Sequence, residues 1–514
     1  MTNRSINIAL FFVISLIIVY WVTFINKIGL HGDEAWFGLE GVNILKNGLV
    51  KPIGMNNYSG VIQSYLDSLM FNIAGVGVVQ LRITGIVCNI LSLLLIIYFF
   101  YNRVNKLSAL YLSMLIGQSV FYLTFAKISW EVLSFNFLLT SLLIVSLYFF
   151  AIKDKREYLY GGLFLTVNFI GTYNHIIFSG IVFSGFVGFA IWILFSKIEF
   201  KLWIVKVYTL LFIGLINSFI VYKTMNSFIL TLWDLYGNYL FLFPFIIIIF
   251  ELLIIKKIFL LVKCLLIKFI YVKSFIKFNV FIYIRFITVL ILAFWFIKFH
   301  LKTLFQVFSQ EIIFERIFSY EVSNYVNYFF VLVSLSVLLL TFYFIIRDLI
   351  SETKTPLTII LVVYMGILHF YTSGFSIRYF WTITILIYLY LSVNIVSINV
   401  RIQRIFMVLL FINMFFSFLI LWSININTER KVKAINFSIN GNVETSAHFL
   451  NFEPVLDYVH KNEIGYIETP QYFFIGNVFN FYTKTDTVFL KYKNSMKIDY
   501  DYKTLDNGFV IEKK

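Results

Sequence analysis

Two adjacent carboxylates, Asp33 and Glu34, stand in the stretch His31-Gly32-Asp33-Glu34-Ala35-Trp36, directly after a first apolar run. A carboxylate just above a bilayer can act as general base on a hydroxyl, and it can also hold a metal through oxygen ligands. The bland alternative is that both acids sit in the first turn of a helix, which favours negative charge. The same segment runs on through Met55-Asn56-Asn57-Tyr58-Ser59-Gly60 and Tyr65-Leu66-Asp67, long for a connector. More groups of this kind recur at the ends of later apolar runs: Leu81-Arg82, Phe125-Ala126-Lys127-Ile128-Ser129-Trp130-Glu131, Tyr173-Asn174-His175 and Ser373-Gly374-Phe375-Ser376-Ile377-Arg378-Tyr379. Residues at membrane ends are often only interfacial anchors, a reading that Trp130 and Tyr379 also fit. His175 alone is more often a satisfied polar residue than a ligand. The grouping of several charges at one depth is what points to a substrate site.

The elements that must position these residues are membrane spans. Of the 514 residues 60% are hydrophobic and 13% charged, and mean hydropathy is +0.88. A soluble domain has about 45–50% apolar and about 25% charged residues. Apolar runs recur at the length of about 20 residues that crosses a bilayer. They predict an all-α multi-pass membrane protein of about 13 transmembrane helices, near 6–25, 79–101, 107–124, 133–152, 158–174, 176–196, 202–222, 238–255, 280–298, 326–346, 357–373, 379–399 and 404–423. The first run, Ile6 to Ile25, is too long for a signal-peptide core and is read as a retained span.

Basic loops set the orientation. With the N-terminus cytoplasmic, one set of loops collects Arg103, Lys106, Lys153, Arg156, Lys201, Arg347, Arg401 and Arg404, and the other collects Asp33, Glu34, Asp67, Glu131 and Glu321. The segment 256–278 carries lysines on no single helical face and is read as interfacial, which keeps the later basic loops cytoplasmic. The expected domains are 1–423, transmembrane, with a first outer loop at 26–78, and 424–514, a polar extracytoplasmic α/β tail. In the tail a helix is expected from Pro454 and another after Pro470, with strands at Ile464–Ile467 and Thr487–Tyr492. The net charge of +15 punctuates apolar runs instead of gathering on one soluble face, which excludes nucleic acid as a partner. Cys88 and Cys264 sit in apolar surroundings and suggest neither a disulfide framework nor a metal site.

The loop Asp33-Glu34-Ala35-Trp36, the stretch Asn57-Tyr58-Ser59-Gly60 through Tyr65-Leu66, Gly75 to Gly77 and Leu81-Arg82 together resemble the start of GT-C glycosyltransferases, in the branch of protein O-mannosyltransferases and bacterial aminoarabinose transferases. The resemblance is densest over 25–200 and returns at Arg378-Tyr379; between 200 and 370 only the layout matches. It implies a polyprenyl-phosphate sugar donor, transfer at the extracytoplasmic face of the plasma (bacterial inner) membrane, and a glycan, lipid or protein acceptor. It implies Asp33 as catalytic base with Glu34 beside it. Arg378 with Tyr379 would hold the donor phosphate, assisted by Lys127 or Arg82, since a planar guanidinium pairs well with phosphate oxygens. Tyr58, Tyr65, Glu131 and His175 are the candidates for acceptor or sugar contacts. No cofactor carries the chemistry and no metal ligand is assigned, although some members of the family bind a divalent cation, for which Glu131 and His175 would be the candidates. The chain departs from many bacterial relatives, which start the first-loop helix with prolines where this one has Tyr58-Ser59-Gly60.

Two rivals are a transporter or flippase and a polymerase for lipid-linked saccharides. The first usually shows repeated halves or broken helices with charges near mid-membrane; here the charges lie in loops and no repeat is visible. The second usually carries a large late loop, whereas this chain has its long loop first. Asp499-Tyr500-Asp501 lacks a nucleotide-binding unit around it, and Gly75-Val76-Gly77 lacks the third glycine of a dinucleotide loop.

Overall fold

The computed structural model describes residues 2–48, 54–55, 59–152, 156–195, 201–223, 247–251, 257–265, 304–310, 320–350, 355–371 and 377–426, with isolated positions between 283 and 318 and short stretches of the tail. In lipid every backbone amide needs a partner within the chain, so apolar runs of this length become helices. The helices are α1 (Asn3–Thr23), α2 (Gly32–Asn47), α3 (Ile62–Ala74), α4 (Val78–Phe99), α5 (Lys106–Gly117), α6 (Val120–Phe125), α7 (Glu131–Ser134), α8 (Asn136–Ala151), α9 (Glu157–Asn174), α10 (Ser179–Phe195), α11 (Leu202–Lys223), α12 (Asn324–Ile350), α13 (Leu357–Tyr371), α14 (Phe380–Asn394) and α15 (Val400–Ile426). Among the described residues, eight helical stretches are long and apolar enough to cross a membrane, and Lys106–Gly117 and Leu357–Leu368 are shorter apolar helices. Every expected span except 238–255 and 280–298, which lie largely outside the described residues, coincides with helix. Of the segment 256–278, only 257–265 is described, as helix.

Two expected spans are broken. The run 107–124 divides at Gln118-Ser119 into α5 and α6, and 133–152 divides at Phe135 into α7 and α8. Backbone groups freed inside a bundle must be satisfied by protein. At the first break the Gln118 carbonyl accepts from Gln310 Nε2 at 2.8 Å and from Ser417 Oγ at 3.1 Å, while its side-chain oxygen accepts from Asn413.

Basic side chains gather at one end of the bundle, where α4 and α14 finish and α5 and α15 start. There Tyr101 donates to Asn7 (3.0 Å) and Tyr111 donates to the Gln403 carbonyl (2.7 Å). Arg347 reaches Asp348 (2.9 Å), Asn394 (2.9 Å) and Ser397 (2.8 Å). The opposite end carries α2 and α3, which pack side by side. A Cβ on Gly41 would lie 3.1 Å from Asp67 Cβ, so only a small residue permits that approach.

The tail contributes strands. β1 (Leu30–His31) pairs antiparallel with β2 (Phe449–Leu450), Leu30 opposite Leu450 and His31 opposite Phe449. β3 (Tyr466–Thr469) runs parallel to β4 (Phe489–Tyr492), and β5 (Tyr500–Leu505) forms a hairpin with β6 (Gly508–Lys513). The first expected tail strand is therefore displaced two residues C-terminally. The helix expected from Pro454 lies outside the described residues. Phe481 lies against Gly38 of α2, where an added Cβ would come within 2.4 Å of its ring, and its ring centroid is 6.2 Å from that of Phe71 of α3. Asp501 sits in a strand opposite Glu512.

Small residues let membrane helices approach closely, and one such contact yields a test. An added Cβ at Gly188 of α10 would lie 2.8 Å from Ile360 Cα and 2.9 Å from Ile360 N, both backbone atoms of α13. At Gly161 it would meet only the Phe150 ring, at 3.1 Å. Gly188→Ala is expected to destabilise by about 1–3 kcal/mol, as overpacking does, and Gly161→Ala by less. Thermal unfolding in one detergent checks the order; equal midpoints for the two variants would refute this packing.

Candidate functional site

The loop that bears the two acids is built around Arg82. This side chain has no solvent exposure. Its Nε donates to Glu34 Oε1 at 2.7 Å and its Nη2 to Glu34 Oε2 at 2.8 Å, a bidentate ion pair. Nη1 donates to the carbonyls of Ile25 (3.0 Å) and Ile28 (2.8 Å), and Nη2 also to Gly29 (2.9 Å). Arginine has five donors, and all five are engaged, so none is left for a phosphate. Glu34 also accepts the Ser129 amide at 2.9 Å and closes a capping box with His31 at the start of α2. The structure thus places Glu34 and Arg82 on each other, and together they join the chain where α1, α2, α4 and the 126–131 segment meet.

Asp33 lies one residue before Glu34 but faces a different partner. Its Oδ2 accepts from Arg378 Nη1 at 2.6 Å. Burial pushes the Asp33 carboxyl above its ordinary value, and the Arg378 charge and hydrogen bond oppose the rise. The Arg378 guanidinium lies over the Trp130 ring, 4.0 Å from its centroid, and 4.9 Å from that of Tyr379; its Nη2 donates to the Tyr379 hydroxyl at 3.1 Å. Trp130 is stacked in turn on the His31 ring, centroids 4.3 Å apart and planes at 27°. Arg378 Nε is buried and has no hydrogen-bond partner among the described residues.

Glu131 begins α7 and is buried; its Oε2 has no hydrogen-bond partner among the described residues, and the charges of Arg378 and Asp33 both act on it. Its carbonyl accepts from Asn174 at 2.8 Å. His175 caps the turn that leads into α10, with Nδ1 accepting the Ile177 amide at 3.1 Å, and it pairs with Ser59 through an isolated bridge. Burial and then the Arg378 charge lower the His175 imidazole to about 3, so at neutral pH it is uncharged. Asp33, Arg378, Tyr379, Glu131 and His175, expected from sequence, therefore meet at one end of the bundle.

Lys127 and Tyr65 have other surroundings. Lys127 is buried over the Tyr20 ring (4.3 Å) and donates to the Tyr20 hydroxyl and the Phe24 carbonyl, both at 3.2 Å. Burial, then the Arg82 charge, push its ammonium well below the usual lysine range. Tyr65 stands on α3, 45% exposed. Tyr58 lies outside the described residues. Among the described residues no three His, Cys, Asp or Glu side chains come together to hold a metal.

Sequence reasoning missed His31 and Trp130 as supports of the site, and the polar group behind it. There Asp67 accepts from Gln63 Nε2 (2.8 Å) and Thr84 Oγ1 (2.9 Å), and Gln63 also donates to Ser129. Burial raises the Asp67 carboxyl well above its ordinary value. The spacing His31-x-x-Glu34 has the form of a capping box, but histidine is outside the usual set of capping residues.

No protein-family model matches the chain, and no curated protein matches its sequence. Among solved structures it is similar to the oligosaccharyltransferase of Archaeoglobus fulgidus, solved with zinc and sulfate (TM-score 0.49, 12% identity, 89% of this chain and 55% of that one). It is similar to AglB of the same organism with an inhibitory peptide and a dolichol-phosphate (0.47, 12%, 81% and 56%). A third is ArnT from Cupriavidus metallidurans bound to undecaprenyl phosphate (0.34, 10%, 74% and 77%). The chain spans about 55% of the length of the archaeal enzyme. At TM-scores below 0.5 these likenesses carry no inference about the site, whose chemistry stands on its own geometry.

The ion pair at the root of the site is open to a double-mutant test. Breaking one partner of a buried pair leaves the other charge uncompensated and costs about 3–5 kcal/mol. Glu34→Gln and Arg82→Met are each expected to destabilise on that scale, and the double variant by less than their sum. Denaturant unfolding of the four proteins in one detergent measures this; additive losses would show that the two side chains are not coupled.

Proposed function

We propose that this membrane protein is a glycosyltransferase that moves a sugar from a polyprenyl-phosphate donor to an acceptor hydroxyl, with inversion, at the extracytoplasmic end of the bundle. The observation that carries the reading is the Asp33–Arg378 pair with the unpartnered Nε of Arg378 beside it. It sets a base and a phosphate-binding cation side by side where a membrane lipid can deliver its head group.

The roles follow from the chemistry. Arg378, flat on Trp130, has Nε available for a phosphate oxygen, and its Nη2, now on the Tyr379 hydroxyl, lies next to it. Asp33 removes the proton from the acceptor hydroxyl as that oxygen bonds to the anomeric carbon. The bond from that carbon to the phosphate oxygen breaks, its electron pair stays on the leaving phosphate, and Arg378 stabilises the growing charge. The proton on Asp33 then passes to water. Glu131, buried with a free carboxylate oxygen, is suited to hold a hydroxyl of the sugar or acceptor. The donor arrives activated, so no cofactor has to supply energy. We assign Glu34, Arg82 and Lys127 to holding the loops and not to the donor.

A general base contributes about 10²–10⁴-fold. Asp33→Asn is expected to lose transfer on that scale while inserting normally, whereas Tyr65→Phe retains it. Glycan and lipid profiling of cells carrying each variant, beside a deletion, reads the loss. The base works as carboxylate, and burial raises its titration; transfer is therefore expected to fall as pH drops, with a midpoint above the ordinary carboxylate value of about 4. Full decoration in Asp33→Asn, alongside its loss in the deletion, would remove Asp33 from the mechanism.

A further inference from the structure

With no substrate in the site, the proposed base is held by the proposed phosphate ligand. Arg378 Nη1 lies 2.6 Å from Asp33 Oδ2, and an adjacent cation favours the ionised, weakly basic carboxylate. Burial acts the other way and leaves the Asp33 carboxyl above its ordinary value, with Arg378 holding down the rise; the other charged and titratable groups around Asp33 have partners or face both residues. On its own element, His31 accepts the Asp33 amide at Nδ1, and that nitrogen is 4.0 Å from Oδ2. Glu34 is paired with Arg82. Across the site, Glu131 acts on both Asp33 and Arg378, the Tyr379 hydroxyl accepts from Arg378, and His175 is uncharged at neutral pH. Arg378 is therefore the cation that sets the basicity of Asp33, and the same guanidinium keeps an unpartnered donor, Nε.

We propose that the donor phosphate itself strengthens the base: hydrogen-bonded to Arg378 Nε, it offsets the positive charge beside Asp33, so Asp33 takes a proton more readily once the donor is bound. This rests on the assignment of Arg378 to the donor phosphate. It gives the reaction an order, donor before acceptor. It also keeps Asp33 from deprotonating water or a stray hydroxyl in an empty site.

The coupling has a signature that needs neither the acceptor nor the sugar. A group whose proton affinity rises on binding takes up protons as the ligand binds, and the ligand binds tighter at lower pH. The experiment measures binding of a polyprenyl phosphate to the full chain in nanodiscs by calorimetry, in buffers of different ionisation enthalpy, across the acidic limb. Wild type is expected to take up more protons than Asp33→Asn, which still binds; the variant subtracts the titration of the phosphate itself. Arg378→Gln is expected to weaken binding about tenfold or more, the loss of a charge-assisted bond. Equal proton uptake in wild type and Asp33→Asn, with binding still dependent on Arg378, overturns the coupling and leaves the phosphate assignment standing. Uptake abolished by Glu131→Gln and not by Asp33→Asn also overturns it. Binding unaffected by Arg378→Gln overturns the phosphate assignment and the coupling with it. Should Asp33→Asn fail to insert, infrared difference spectra of wild type serve instead: a protonated-carboxyl band must appear on binding, and its absence refutes the proposal.

Discussion

A guanidinium with no access to solvent at the mouth of a helical bundle must find protein partners for all its donors, because an unpaired charge there is far too costly to persist. Arg82 meets that demand with both oxygens of Glu34 and the carbonyls of Ile25, Ile28 and Gly29. Those five bonds fix the turn after α1, the first turn of α2 and the start of α4 relative to one another. Glu34 extends the set by accepting the Ser129 amide, which brings in the segment that carries Trp130 and Glu131. The placement of Asp33, Trp130 and Glu131 follows from this one buried pair.

Two neighbouring acids thereby take different parts. Successive residues on a helix point about 100° apart, so Glu34 turns into the loop root while Asp33 faces Arg378. One carboxylate is saturated by a fully buried fork and five-bonded arginine; the other is left with a single strong partner, Arg378, whose Nε has no partner among the described residues. Environment, not residue type, separates them, as it does for paired carboxylates in many active sites. The aromatic support works in the same direction: Trp130, stacked on His31, lies under the Arg378 guanidinium without using its donors.

Much of the architecture was legible because a membrane span needs about 20 apolar residues, a signal that survives any detail of packing. The outward grouping of Asp33, Glu131, His175 and Arg378 was legible for the same reason, since topology brings alternate loops to one end. The breaks at Gln118-Ser119 and Phe135 were not, because the apolar run continues across them and their polar partners, Gln310, Asn413 and Ser417, are remote in sequence. Nor could the sequence foresee that Asp33 and Glu34 pair with different arginines, or that Arg82 and Lys127 are bonded to carbonyls. That depends on which cations happen to be saturated by carbonyls and rings. The pairing of β2 with β1 beside Asp33 joins segments more than 400 residues apart, which no local pattern announces.

The most direct test of the account is a cryo-electron-microscopy map of the chain in nanodiscs with a polyprenyl phosphate added. The account predicts phosphate density within hydrogen-bond distance of Arg378 Nε, above Trp130, with Asp33 still beside Nη1 and the Glu34–Arg82 pair intact. Phosphate density at the other end of the bundle, beside Arg347 and Arg401, with Arg378 unchanged, would contradict it.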